Sequence, residues 1–335
     1  MPTKRYIVFS TMLFCCVVSR SYGWGVWGHQ HINRAAVFAL PASLRAVFFQ
    51  HVDFITMEAS IPDVRKYTLN DKRESPRHYI DLESFGSHPF AVLPERWDSA
   101  VARYGAGKLY KAGILPWYAQ QMLEKLTRAF RDRDKVRIFF LSADLAHYIG
   151  DAYMPLHTSL NHDGQLTGQK GVHALWESLL PEIFGSNYNL HVKEAHYLKD
   201  PTATIWECIR ESHALVPRLL KAEKDLLKSW PENKIYEMDD HGHPRKNRYG
   251  SLRFSRAFAT AYHQALQGMV EDQMRRAIAT VSSLWYTAWI NAGKPDLSKL
   301  DDAYLWRINR EPLQFQYHLW AEKGKLVGLK PDLEF

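Results

Sequence analysis

The chain has 335 residues, 46% of them hydrophobic and 24% charged, which suits a soluble globular protein with a sizeable core and excludes a disordered chain. The formal net charge of +7 is too mild to demand a polyanionic partner, although it is compatible with one. Three cysteines among so many residues exclude a disulfide-built scaffold.

The first element in chain order is a leader. Lys4 and Arg5 precede an apolar run over residues 6–18 that is too short to span a membrane, and Ser21-Tyr22-Gly23 offers a signal-peptidase site. Residues 1–23 are therefore expected to be a signal peptide and residues 24–335 the mature domain, exported to the periplasm or beyond the cell. Losing Lys4, Arg5 and Arg20 lowers the formal charge from +7 to +4. Cys208 is then the single remaining thiol, which rules out an intramolecular disulfide and is expected to be inert and buried.

Beyond the leader, apolar residues recur at three- and four-residue spacing over 116–130, 136–153, 171–180 and 254–292, predicting long helices. Strand-like alternation is scarce, and residues 84–94 read as a loop. Residues 231–250, with Pro231, Pro244 and the "DDHGH" stretch, read as a solvated surface excursion between two long helices. The expectation is one compact, multi-helix, all-α domain.

The polar residues inside these apolar stretches carry the chemistry. His147 and Asp151, four apart on a helix, share one face, and His157 follows just past Met154-Pro155, where proline ends the helix. His173 and Glu177 repeat the spacing; with His157 they are a sufficient set for a zinc ion with an open position. Asp63 and His78, taken with His147 and Asp151, make a second set of nitrogen and oxygen donors suited to zinc. Cleavage after Gly23 would free the Trp24 α-amine, which with its own carbonyl can chelate a metal that His29 and a bridging Asp151 complete. Core packing remains the ordinary reading for Trp27, Tyr148, Tyr153 and Trp176, and a loop pair the ordinary reading for His162-Asp163.

This ordered set (Trp24, His29, Asp63, His78, His147–Asp151, His157, His173–Glu177, with the wording "HYIGD" and "PLH") resembles the superfamily joining bacterial zinc-dependent phospholipases C with fungal and plant single-strand nucleases. The five-residue step from Trp24 to His29 is similar to the nucleases. The short interval from His157 to His173 and the closing Glu177 are similar to the phospholipases. The resemblance implies the fold of that superfamily and three zinc ions per chain. One zinc falls to Asp63, His78, His147 and Asp151, a second to Trp24, His29 and Asp151, and a third to His157, His173 and Glu177. It further implies hydrolysis of a phosphodiester by zinc-bound hydroxide, with Asp63 as a proton acceptor and Arg65 or Lys66 near the phosphate. Single-stranded nucleic acid is the favoured substrate, a glycerophospholipid the alternative, and a non-catalytic helical zinc protein the remote one. A monomer without a protein partner is expected.

Overall fold

The computed structural model describes residues 24–246, 252–327 and 329. The expected leader, residues 1–23, lies outside them. The architecture is all-α. In chain order the helices that position the site are α1 (Val26–Phe38), α2 (Ala42–Phe49), α3 (Val52–Glu58), α4 (Ile61–Tyr67), α5 (Leu115–Asp132) and α6 (Lys135–Ala152). They are followed by α7 (Pro201–Ser229), α8 (Arg256–Leu266), α9 (Met269–Asn291) and α10 (Ala303–Lys323).

Local chemistry sets the ends of these helices. Arg133 takes the left-handed conformation that stops α5, and the Asp134 carboxylate then accepts from the Arg137 amide to start α6. The Asp200, Ser255 and Asp302 side chains cap α7, α8 and α10 in the same way.

Helix α5 buries one face, built from Leu115, Tyr118, Ala119, Met122, Leu126 and Phe130, among others. Helix α6 behaves differently, because every residue from Leu145 to Ala152 is buried. It is the central helix, with α1, α3, α4, α5, α7 and α9 all packed against it. The indole of Trp285 on α9 donates to the Ser142 carbonyl at 3.0 Å, and Gln273 donates to the Tyr153 carbonyl at 2.8 Å, so α9 is fixed to α6 at two heights. Asn33 on α1 donates to the Ala143 carbonyl from another side. His147 and Asp151 thus project from the half of α6 that has no solvated face, where an unmatched polar group is costly.

Two readings of the sequence need correction. The apolar run over 254–292 is not one helix, since Gln267 and Gly268 both adopt positive φ and break it into α8 and α9. The polar excursion is more ordered than a loop: isolated antiparallel bridges pair Tyr236 with Phe254, Met238 with Pro244 and Lys246 with Leu252 in a narrow exposed ribbon. His241 and His243 sit on its exposed tip, as expected of a solvated stretch. Cys208 is buried, and that burial pushes its thiol up to about 12. Among the described residues no helix is long and apolar enough to cross a membrane.

Candidate metal centre

The ligand-bearing segments converge around the C-terminal half of α6. Proline at 155 directs the chain into a short 3₁₀ turn, Pro155–Thr158, which brings His157 back beside Asp151. A second 3₁₀ turn, Ser75–His78, carries His78. The Ile80 amide donates to the His157 carbonyl at 2.8 Å, and the Ile114 amide donates to the Pro76 carbonyl at 2.7 Å, so the two turns are stitched to each other and to α5. Gly113 makes this close approach feasible: its φ is +89°, and a Cβ there would lie 2.1 Å from the Tyr79 carbonyl oxygen.

His173 and Glu177 lie on a helix that is not regular. After a single α-turn, Val172–Ala174, the chain widens into a π-helical turn, Leu175–Leu179, before tightening again over Leu180–Phe184. Glu177 is fully buried on the wide turn, with Oε2 2.9 Å from His173 Nε2.

Three buried clusters result, each able to hold a metal ion: His29 with His147 and Asp151, Asp63 with His78 and His147, and His157 with His173 and Glu177. Within each, the ligand atoms lie within 4.8 Å of one another. They are not independent. The Asp151 carboxylate is 2.9 Å from His78 Nδ1, 3.3 Å from His147 Nε2, 3.5 Å from His29 Nε2 and 3.3 Å from His157 Nδ1. It touches members of all three.

Hydrogen bonding at the far side of each ring shows what the near side can do. His147 Nδ1 donates to the Ala59 carbonyl at 2.7 Å, and His173 Nδ1 donates to the His162 carbonyl at 2.5 Å. Neutral rings held this way offer only a lone pair at Nε2. His147 Nε2 nevertheless faces His78 Nδ1 at 3.1 Å, and His173 Nε2 faces His157 Nε2 at 3.2 Å. His78 Nδ1 also meets the Asp151 carboxylate at 2.9 Å and His173 Nε2 the Glu177 carboxylate at 2.9 Å, so each nitrogen pair points into a place for a proton or a cation. Two nitrogens on one tetrahedral zinc, each at a usual Zn–N length, would stand about 3.3 Å apart.

The buried polar atoms without hydrogen-bond partners concentrate here as well: both ring nitrogens of His29, Asp63 Oδ1, Asp151 Oδ1, His157 Nδ1 and both Glu177 oxygens. Buried groups left unpaired are costly, so their clustering fits a bound cation. All donors are nitrogen or oxygen, a set that suits zinc.

Electrostatics separates the histidines. Burial, with His147 adding to it, drives His29 well below the ordinary range, and burial likewise lowers His157. Burial would lower His147 too, but the Asp151 carboxylate outweighs it and lifts the ring to about 9. Burial raises Glu177 to about 7, against the opposing pull of His173. At neutral pH His147 holds a proton and Glu177 about half of one, which a cation must displace. Metal uptake is therefore expected to release protons, with affinity falling as pH drops from about 9 through 7. Calorimetry in two buffers of different ionisation heat would measure the release; equal heats would contradict it.

Trp24 is fully buried against this assembly. Its indole Nε1 donates to the Gly150 carbonyl at 2.7 Å, beside Asp151, and its ring centroid lies 4.8 Å from that of Trp176. The Gly25 amide donates to the Glu177 carbonyl at 3.3 Å.

A cavity of about 730 Å³ opens above His78, His157 and His173, with Lys66, Tyr67, Asn70, Tyr79, Asp81 and Gln165 on its walls. Of the two cations expected near a phosphate, Lys66 lines the cavity. Arg65 does not. Its guanidinium turns behind α6, where Nη2 donates to Asp144 at 2.7 Å and Nε to Glu74 at 3.3 Å. Neighbours on α4 point about 100° apart, so with α4 packed to set Lys66 at the cavity, Arg65 faces α6.

Sequence reasoning missed Glu74, a fully buried carboxylate four residues before His78. Burial opposes its ionisation, but the nearby His78 ring, the Tyr148 hydroxyl and the charge of Arg65 hold it down to about 2. The i, i+4 spacing that marks the other pairs was its available signal. His162 and Asp163 form a loop pair, as expected, and support His173 through the His162 carbonyl and Asp163 Oδ1. Comparisons with protein-family models, with curated proteins and with solved structures returned no match.

Proposed function

We propose that this chain is an exported zinc-dependent phosphodiester hydrolase holding three zinc ions, with single-stranded nucleic acid as its substrate. The observation that carries this reading is the convergence of three buried nitrogen–oxygen clusters on one carboxylate, Asp151, beneath an open cavity with a lysine and two tyrosines on its walls. Structural zinc sites are usually closed, cysteine-rich and separate from one another.

Asp63, His78, His147 and Asp151 would hold one ion; the Trp24 amine and carbonyl, His29 and Asp151 a second; His157, His173 and Glu177 a third. The chemistry zinc supplies when bound is Lewis acidity, which activates water near neutral pH and polarises phosphoryl oxygens. The chain's own groups do the rest. Asp63 Oδ1, buried and unpartnered, can take a proton from the attacking water. Lys66 can neutralise a non-bridging phosphate oxygen. Tyr67 and Tyr79 offer faces on which bases stack, and Asn70 and Gln165 offer amides that can read a base edge.

One observation favours a second reading, a phospholipase C. Leu160 and Leu166 on the cavity wall are 42% and 65% exposed, and Leu69 beside it is 69% exposed, an apolar rim suited to acyl chains. The deciding experiment is a paired assay of the zinc-loaded mature chain on single-stranded DNA or RNA and on phospholipid vesicles. Cleavage of nucleic acid is the expected result. Activity on lipid alone would replace the nuclease reading, and activity on neither would overturn both.

A further inference from the structure

We infer that Glu74 is the positioning residue for His78, the buried carboxylate that fixes which ring nitrogen this histidine turns towards a metal. The inference rests on the metal-site reading above. His78 presents Nδ1 to the cluster, 2.9 Å from Asp151 Oδ2 and 3.1 Å from His147 Nε2. Its other nitrogen, Nε2, is buried and has no hydrogen-bond partner. A neutral ring ligating through Nδ1 carries its proton on Nε2, and that proton needs an acceptor.

Glu74 Oε1 lies 3.5 Å from His78 Nε2, longer than a made hydrogen bond and within a small ring rotation of one. His147 and His173 rest on backbone carbonyls instead, so His78 is the ring supported by a carboxylate. A carboxylate makes the ring more basic and a stronger ligand than a carbonyl does.

The surroundings keep Glu74 charged and still. Arg77 Nη1 donates to Oε2 at 2.6 Å, Arg65 Nε reaches the same oxygen at 3.3 Å, and the Tyr148 hydroxyl donates to Oε1. Tyr148 follows His147 directly, and Asp144, which receives Arg65, lies one turn earlier on α6. The network therefore ties the His78 turn to the helix bearing His147 and Asp151. Arg65, expected at the phosphate, belongs to this rear support.

Zinc affinity, measured by competition with a chromophoric chelator, tests this. Glu74→Gln keeps the shape and removes the charge; the expected result is about 10- to 100-fold weaker binding of one zinc, with the remaining zincs retained. Arg77→Met cuts an ion pair to the same carboxylate without touching His78. It is expected to lower the thermal midpoint and to weaken zinc binding far less than Glu74→Gln does. Wild-type affinity in Glu74→Gln, or equal losses in both variants, would reduce the network to a structural ion pair and overturn the inference.

Should Glu74→Gln not fold, long-range ¹H–¹⁵N NMR of the zinc-loaded wild-type protein reads the tautomer directly. A proton on His78 Nε2 is expected, and a proton on Nδ1 would overturn the inference. A wild-type chain that binds no zinc would sink the metal reading itself, a different outcome from unchanged affinity in the variant.

Discussion

Asp151→Asn is expected to reduce phosphodiester hydrolysis by about 10³-fold or more, since each bound ion contributes several kcal/mol of transition-state stabilisation. The same carboxylate lies 2.9 Å from His78, 3.3 Å from His147, 3.5 Å from His29 and 3.3 Å from His157. Asparagine keeps the volume but removes the negative charge and turns an amide NH₂ towards imidazole lone pairs, where a cation should sit. The fold is expected to survive, because α6 is held by apolar packing and by the Trp285 and Gln273 bonds. Elemental analysis should show fewer zincs per chain, and a model diester should show the loss of rate. Wild-type zinc content with a wild-type rate would remove Asp151 from the centre of the mechanism.

The second large effect is expected at Trp24, the proposed mature N-terminus. A chain that retains residues 1–23, or carries one extra glycine before Trp24, has an amide where the proposed ligand is an amine. It is expected to lose one zinc and most activity. The affinity should fall by at least about 10- to 100-fold, the scale found when even an outer partner of a ligand is lost. The indole bond to Gly150 and the Gly25 bond to Glu177 hold this end of the chain against two ligand-bearing segments. Zinc stoichiometry of the mature and glycine-extended proteins, compared under one condition, is the measurement. Equal stoichiometry and rate would discard Trp24 as a ligand and leave His29 with His147 and Asp151 alone.

Much of the fold and of the candidate site is legible in the sequence, for a physical reason. A ligand pair on a helix must obey the helical period, so His147–Asp151 and His173–Glu177 show themselves by spacing, and the apolar residues around them report burial. The long helices α5 and α6 are legible on the same ground. What is not legible depends on packing. The direction of Arg65 follows from how α4 rests on α6, which no local pattern encodes. The break at Gln267 uses a left-handed residue that is not glycine, so only Gly268 marked it. Among the described residues the ribbon has three isolated bridges and buries only Ile235 and Phe254 at its base, hence no alternation to read. Glu74 sat in a polar run that resembles a solvated turn, and its burial became evident only once Arg65 and Arg77 were seen to enclose it.

The widened turn at Leu175–Leu179 also makes chain length part of the site's specification. Removing one residue between His173 and Glu177 would let the turn relax to ordinary α-helix and change their spacing from i, i+4 to i, i+3, which re-aims the carboxylate relative to its histidine and to His157. Every ligand would still be present, yet its aim would differ. An equal deletion at the exposed ribbon would move no ligand. Over evolutionary time, insertions and deletions should be tolerated in the ribbon and purged from the turn, where a change in count acts as a change of ligand.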